Sequence, residues 1–178
     1  MTYNYNRFWD ERGQYPAEPF NERKRQIIRE LLAPIDYTTV LEFGCGNGEL
    51  SKILKERSCY LAGVDISQDR LDMNHYVDAM INQDATKEYF YPISDLVICS
   101  HFLLHIKPND ILAMINNMLN VATKYLIFIE PDISIFPYTL EWENYNFPHD
   151  YDKIPQFQQY RVEKYPIDNY VSMWIVKK

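Results

Sequence analysis

The sequence predicts an α/β fold built on a doubly wound, seven-stranded sheet, mostly parallel, that closes with an antiparallel C-terminal hairpin. Three observations predict it. Short apolar runs alternate with amphipathic stretches from Phe20 to Ile129, and repeated β-α-β order implies right-handed crossovers with helices on both faces. A turn with three glycines, Glu42-Phe43-Gly44-Cys45-Gly46-Asn47-Gly48, joins the first apolar run to a helical stretch. Two alternating runs near the C-terminus flank Pro166-Ile167-Asp168-Asn169, the pattern of a hairpin and its turn.

The elements follow in order. Phe20, Ile27, Ile28, Leu31 and Leu32 recur at helical spacing, and Pro34 stops a leading helix over Phe20 to Ala33. Val40 to Glu42 ends the first strand, and Glu49 to Arg57 is its helix. Tyr60 to Asp65 is a second strand, apolar throughout as a parallel strand covered on both faces should be. Gln68 to Val77 reads as the next helix, Ala79 to Gln83 as a short third strand, and Thr86 to Tyr89 as a helical turn. Leu96 to Cys99 is an apolar fourth strand. Asn109 or Asp110 caps a helix whose stripe is Ile111, Leu112, Ile115, Met118, Leu119 and Ala122. Tyr125 to Ile129 is the fifth strand. From Asp132 to Gln156 the chain is aromatic, interrupted by Pro137, Pro148 and Pro155, and has no period; Gln159 to Tyr165 and Tyr170 to Val176 then alternate as strands.

Composition narrows the functional classes. The 178 residues, 47% of them hydrophobic, suit one domain with a substantial core and leave no room for a separate substrate domain. A net charge of -7 and a pI near 5.1 disfavour nucleic acid, whose phosphates call for clustered Lys and Arg. The one basic cluster, Arg23-Lys24-Arg25, is flanked by Glu22 and Glu30 and reads as a solvated helix face. No apolar stretch is long enough to cross a bilayer and the opening residues carry no apolar signal core, so a soluble, cytoplasmic protein is expected. Cys45, Cys59 and Cys99 are too few and too scattered for a disulfide framework or a zinc site.

The glycine turn carries the chemistry. Glycine accepts positive φ and lets a ligand approach the backbone at the start of a helix. A dinucleotide turn requires G-x-G-x-x-G, and here the third glycine falls one position early, with Glu49 in the required slot. The spacing resembles instead the first motif, E/D-x-G-x-G-x-G, of the class I S-adenosylmethionine-dependent methyltransferases. Gly63-Val64-Asp65-Ile66, Asn82-Gln83-Asp84-Ala85 and Asp95-Leu96-Val97-Ile98-Cys99-Ser100 follow in the order expected of that superfamily. The likeness covers nearly the whole chain. It implies a Rossmann-like domain with an N-terminal lid and helix (1–34), a cofactor-binding core (35–130), an aromatic lid (131–158) and a C-terminal hairpin (159–178). It also implies S-adenosylmethionine as cofactor, S-adenosylhomocysteine as product, and a cofactor site of Glu42, Gly44, Cys45, Gly46, Asp65, Ile66, Asp84, Ala85, Ser100 and His101. Asp84 and the Ala85 backbone would read the adenine edge, Ile66 would cover its face, and Ser100 and His101 would line the methionine end.

Asp65 has support beyond resemblance. It ends the second strand roughly 20 residues after the glycine turn, the spacing at which a carboxylate takes ribose hydroxyls. Asp65 as a helix cap, and Asp84 as a turn or cap residue, are the plainer alternatives. Cys45 and Cys99 read as packing residues without an adjacent base. His101 and His105 are spaced i, i+4 but lack a third ligand, so no metal is expected; a substrate-facing His101 and a structural His105 are the preferred reading. His149 lies in the irregular segment over the pocket, as either a proton acceptor or an exposed loop histidine.

Methyl transfer needs positioning and water exclusion more than a fixed catalytic group. Two aromatic segments would choose the acceptor: Tyr3, Tyr5, Phe8, Trp9 and Tyr15 with Arg7 and Arg12, and Phe136, Tyr138, Trp142, Tyr145, Phe147 and Tyr151. Either set could stack on a ligand or simply pack on the sheet. Ser100 to His105 lacks the N/D-P-P-Y signature of base and glutamine methylation, which by resemblance favours a small-molecule acceptor with nitrogen or oxygen as its nucleophile. Pro19 to Arg25 and Gln159 to Tyr165 are faintly similar to nodulation-type N-methyltransferases. The competing readings are a protein or RNA methyltransferase working through a partner, and a non-catalytic cofactor-binding scaffold.

Overall fold

A computed structural model describes residues 20–87, 90–135 and 146–178. Helix α1 spans Glu22–Leu32; Asn21 caps it by accepting from the Lys24 amide at 2.9 Å. Strand β1 (Thr39–Phe43), α2 (Glu49–Leu54), β2 (Tyr60–Asp65), α3 (Gln68–Met73), β3 (Ala79–Asn82) and β4 (Ser94–Ser100) follow, then α4 (Ile111–Val121), β5 (Ala122–Pro131), β6 (Arg161–Pro166) and β7 (Val171–Lys177). The seven strands form one sheet in the order β3-β2-β1-β4-β5-β7-β6. The first five are parallel, and β7 runs antiparallel between β5 and β6. Strand order reverses between β1 and β4, so the carboxyl ends of those strands open a crevice where such sheets bind ligands.

Alternation along the strands divides the core. Leu41, Phe43, Val97 and Phe128 face α4, packing with Met114, Ile115 and Met118, whereas Val40, Ile98, Ile127 and Ile129 face Ile28 and Leu32 of α1 and Ile53 and Leu54 of α2. Phe128, Trp174, Phe157 and Tyr151 stack with ring centroids 5.2–5.5 Å apart under the C-terminal hairpin.

Several boundaries differ from the sequence reading. α3 stops at Met73 rather than Val77, because the buried Asn74 leaves the helical conformation and its amide donates to Ser51 Oγ at 3.0 Å. α2 ends at Leu54, three residues before Arg57, and Arg57 instead donates to the carbonyls of Leu32 and Ile35. Ala122, assigned to the α4 stripe, begins β5. Three short 3₁₀ turns, Leu103–His105, Tyr151–Lys153 and Pro155–Gln159, lie where no period was legible or a strand was expected. Tyr3, Tyr5, Phe8, Trp9 and Tyr15, with Arg7 and Arg12, and Phe136, Tyr138, Trp142 and Tyr145, lie outside the described residues, as does the end of the turn expected at Thr86 to Tyr89. No helix among the described residues is long and apolar enough to cross a membrane.

Candidate functional site

A cavity of about 550 Å³ opens at the carboxyl ends of β1, β2, β3 and β4. The glycine turn forms its floor. Gly44, Gly46 and Gly48 all have positive φ, at 64°, 49° and 94°. A Cβ on Gly44 would come 2.7 Å from the Phe102 ring, and one on Gly48 would come 2.5 Å from the Asn74 side chain, so the protein's own packing excludes side chains there. At Gly46 the nearest atom is Arg70 Nη1, 3.6 Å away. That open flank is where a ligand can lie against the backbone. Glu49, which stands where a dinucleotide turn needs glycine, is committed to Arg25 of α1 at 2.9 Å.

Two carboxyl groups sit beside the turn, both pushed up by burial but held by different partners. Asp65 accepts from the Gly46 amide through Oδ2 and from the Ser67 amide through Oδ1, both at 2.9 Å. Each oxygen keeps a lone pair for a further donor. Burial raises its pKa, opposed by those two amides. Glu42 is 2% exposed, and burial pushes its carboxyl up to about 8 against the hydrogen bond from Ser51. The chain Asn74 to Ser51 to Glu42, at 3.0 and 2.6 Å, fixes it inside the wall.

Across the sheet, the expected residues fall in order. Asp84 and Ala85 follow β3, Asp65 and Ile66 end β2, Gly44, Cys45 and Gly46 end β1, and Ser100 and His101 end β4; all of them line the cavity. Asp84 also makes the plainer contact, accepting from the amide and hydroxyl of Thr86 through Oδ1. Cys45 is buried, and its sulfur occupies the space that a side chain on Gly63 would need, at 2.7 Å; burial holds its thiol far above the usual range. Ser100 Oγ lies 3.0 Å from His101 Nδ1. His101 has φ 50°, a left-handed conformation uncommon outside glycine, and its ring is pushed down to about 3 by burial and then by the charge of Lys24.

His149 is not brought to the cavity. It is 7% exposed, its Nε2 donates to the Ile106 carbonyl at 2.8 Å, and its ring meets Tyr151 edge-on. The expected proton acceptor therefore has its proton-bearing nitrogen committed to the backbone, behind a wall residue. His105, expected to be structural, does line the cavity with His101. No group of three or more His, Cys, Asp and Glu able to hold a metal occurs among the described residues.

Sequence reasoning missed the far end of the cavity. Lys24, Phe20 and Asn21 from the start of α1, and Asp168 from the β6–β7 turn, line it. Lys24 lies one helical turn before the fully buried Ile28, and that i, i+4 relation was the available signal that it faces inward rather than toward solvent. Its ammonium stands 3.9 Å from Asp168 and 4.9 Å from the centre of the Phe20 ring, and burial lowers its pKa. Asp168 looked like an ordinary turn residue, and its Oδ1 does accept from the amides of Tyr170 and Val171, both at 2.8 Å. Behind the wall, the fully buried Glu130 accepts from the amides of Phe102 and Leu103 at 2.9 Å and of Leu104 at 3.4 Å. It holds the turn that presents His101, Phe102 and His105.

Comparison with known proteins bears on the family and the fold. A family model described as a methyltransferase domain matches residues 3–162. The ubiquinone biosynthesis O-methyltransferase of Hydrogenovibrio crunogenus is 27% identical over 114 residues, covering 57% of this chain and 46% of that protein. The chain thus spans about half the length of the curated relatives it matches. The N-methyltransferase NodS of Bradyrhizobium japonicum, solved with S-adenosyl-L-homocysteine, superposes with a TM-score of 0.74 at 14% identity over 98% of this chain and 99% of that one. Magnesium protoporphyrin IX methyltransferase of Synechocystis, also solved with bound SAH, gives 0.69 at 18% identity over 98% and 95%. At these identities the two structures speak for the fold.

Proposed function

The chain belongs to the methyltransferase domain family, and from that premise we propose that it moves the methyl group of S-adenosylmethionine to a nitrogen or oxygen of a small molecule. One observation carries the reading: the cavity residues follow the order of the cofactor's parts across four adjacent strand ends. With strands ~4.8 Å apart, the three steps from β3 to β4 span about 14 Å, room for an extended nucleoside and its amino-acid tail.

The residues present fit that group. Asp65 has lone pairs left for two sugar hydroxyls, Asp84 and the Ala85 backbone stand at the base end, and Gly46 leaves the backbone open. Lys24 supplies a cation at the tail end for a carboxylate. When bound, the cofactor supplies an electrophilic methyl carbon on a sulfonium. The chain contributes orientation and dryness. Phe102, fixed against Gly44 and held by Glu130, and the half-buried Ser100–His101 pair keep the reacting end in place. His101, with its ring at about 3, binds a proton too weakly to serve as base near neutral pH. We assign it to hydrogen bonding and assign His149 to bracing the loop at Ile106.

Calorimetry tests the reading directly. The purified chain should bind S-adenosylmethionine and S-adenosylhomocysteine with micromolar dissociation constants, and Asp65→Ala should weaken both at least tenfold. Parent protein indifferent to both at millimolar concentration, or Asp65→Ala binding as well as the parent, would overturn it. Turnover with pooled small amines, alcohols and thiols then separates enzyme from scaffold.

A further inference from the structure

We propose that Asp168 and the ring of Phe20 form an amine subsite at the acceptor end of the cavity, so that the methyl acceptor is a nitrogen that travels in solution as an ammonium. This deepens the methyl-transfer reading and rests on it.

The subsite already holds a cation. Lys24 Nζ stands over the Phe20 ring at 4.9 Å and faces Asp168 Oδ2 at 3.9 Å, so an ammonium fits between the aromatic face and the carboxylate. The carboxylate is built in place. Its Oδ1 accepts from two turn amides at 2.8 Å, which fixes the group and leaves Oδ2 toward the cavity. The separation of 3.9 Å is loose for an ion pair, and Lys24 can turn to a cofactor carboxylate without breaking a close hydrogen bond to Asp168. The position is also right: Asp168 lies beyond the end of β4, past the strands that would receive base, sugar and sulfonium.

The flow of charge selects nitrogen over an anionic oxygen. The ammonium first releases one proton to water. The free nitrogen lone pair then forms the N–C bond while the C–S pair returns to sulfur, so the positive charge leaves sulfur and appears on nitrogen. A fixed carboxylate beside that nitrogen is favoured increasingly as the charge arrives. A phenolate or carboxylate acceptor would instead bring negative charge against Asp168, and its own charge would vanish during transfer. The rest of the lining leans the same way. Among the described residues, with Glu42 neutral by burial and Glu49 paired with Arg25, it carries Asp65, Asp84 and Asp168 against the cations Lys24 and Arg70. Aromatic surface from Phe20 and Phe102 would hold a flat carbon skeleton next to the amine.

Binding, rather than turnover, gives the test. Protein saturated with S-adenosylhomocysteine is titrated with benzylamine, benzyl alcohol and benzoate, which share one ring and differ in the polar group. Benzylamine should bind roughly fivefold more tightly than benzyl alcohol, and benzoate weakest. Asp168→Asn keeps an oxygen for the amides of Tyr170 and Val171 and removes only the charge. It should abolish the amine preference while S-adenosylhomocysteine affinity stays within about twofold of the parent. Phe20→Leu should lower the preference without touching the turn. No preference for benzylamine, a preference for benzoate, or an unchanged preference in Asp168→Asn overturns the subsite. Failure to bind S-adenosylhomocysteine, with the amine preference intact in its absence, would instead overturn the methyl-transfer reading.

Discussion

Gly44 and Gly46 are two residues apart in one turn, yet alanine should fail at each for a different reason. Both positions have positive φ, which alone costs a side chain about 1–2 kcal/mol. At Gly44 the new Cβ also meets Phe102 Cδ2 at 2.7 Å and Phe102 Cβ at 2.9 Å, so Gly44→Ala should lose a further 1–3 kcal/mol, roughly, as the ring is displaced. At Gly46 the nearest atom is 3.6 Å away. Gly46→Ala should therefore lose only that backbone cost of about 1–2 kcal/mol in denaturant unfolding, while its affinity for S-adenosylhomocysteine falls at least tenfold. Equal stability losses at the two positions would contradict this division of labour. The motif made both glycines visible in the sequence, but which one serves packing and which serves the ligand depends on Phe102, which is 58 residues distant and joined to the turn only by the fold. Lys24 shows the same limit from the other side. Its basic neighbours suggested solvent, and only its phase relative to Ile28 pointed inward.

At the scale of elements, the strand ends that place the site were readable because each is an apolar run closed by a polar or glycine residue. The turn from His101 to His105 was not. It carries a mixed sequence with no period, and what shapes it comes from β5: Glu130 gathers the amides of Phe102, Leu103 and Leu104 on one carboxylate, and Ile129 accepts from the amide of His101 at 2.9 Å. Glu130→Ala would leave those amides without a partner inside the protein. Each stranded group costs about 1–3 kcal/mol, so a loss of at least 3 kcal/mol, roughly, is expected in denaturant unfolding. Glu130→Gln keeps one carbonyl oxygen at nearly the same place and should lose less than about half as much. If the turn also presents Phe102 and His101 to the ligand, both variants should bind S-adenosylhomocysteine more weakly than the parent, in the same order. A stability loss with ligand affinity unchanged would confine Glu130 to holding the fold.

For the molecule as a whole, the strand order and its reversal between β1 and β4 came only with the structure, while the parallel pairing, which follows from β-α-β rhythm, and the hairpin, from period-two alternation, were legible in the sequence. The ionic state of the crevice was not, since it depends on burial. Burial pushes Glu42 up to about 8 and Glu130 up to about 7, whereas in the unfolded chain each titrates near 4.3. Between those values the folded state holds more protons than the unfolded one, so stability falls as pH rises. Two histidines act in the opposite direction: His101 is pushed down to about 3 and His149 is also lowered, so below about 6.5 the unfolded chain takes up protons that the folded one refuses. The two effects partly cancel between about 4.5 and 6.5. From pH 6.5 to 8 the carboxyl contribution dominates, joined in the same direction by the raised Cys45 and Cys99 thiols as pH nears 8, and unfolding free energy should drop there at up to about 1.4 kcal/mol per pH unit for each protonated glutamate. Glu42→Gln is neutral at every pH, and its amide can still accept from Ser51 in the buried Asn74–Ser51 chain. Denaturant unfolding of that variant should show a drop across the same window shallower by about 2 kcal/mol. A parent whose stability is flat or rising from pH 6.5 to 8, or a Glu42→Gln variant with the parent's slope, would mean that the glutamate of the glycine turn is ionised in the folded protein.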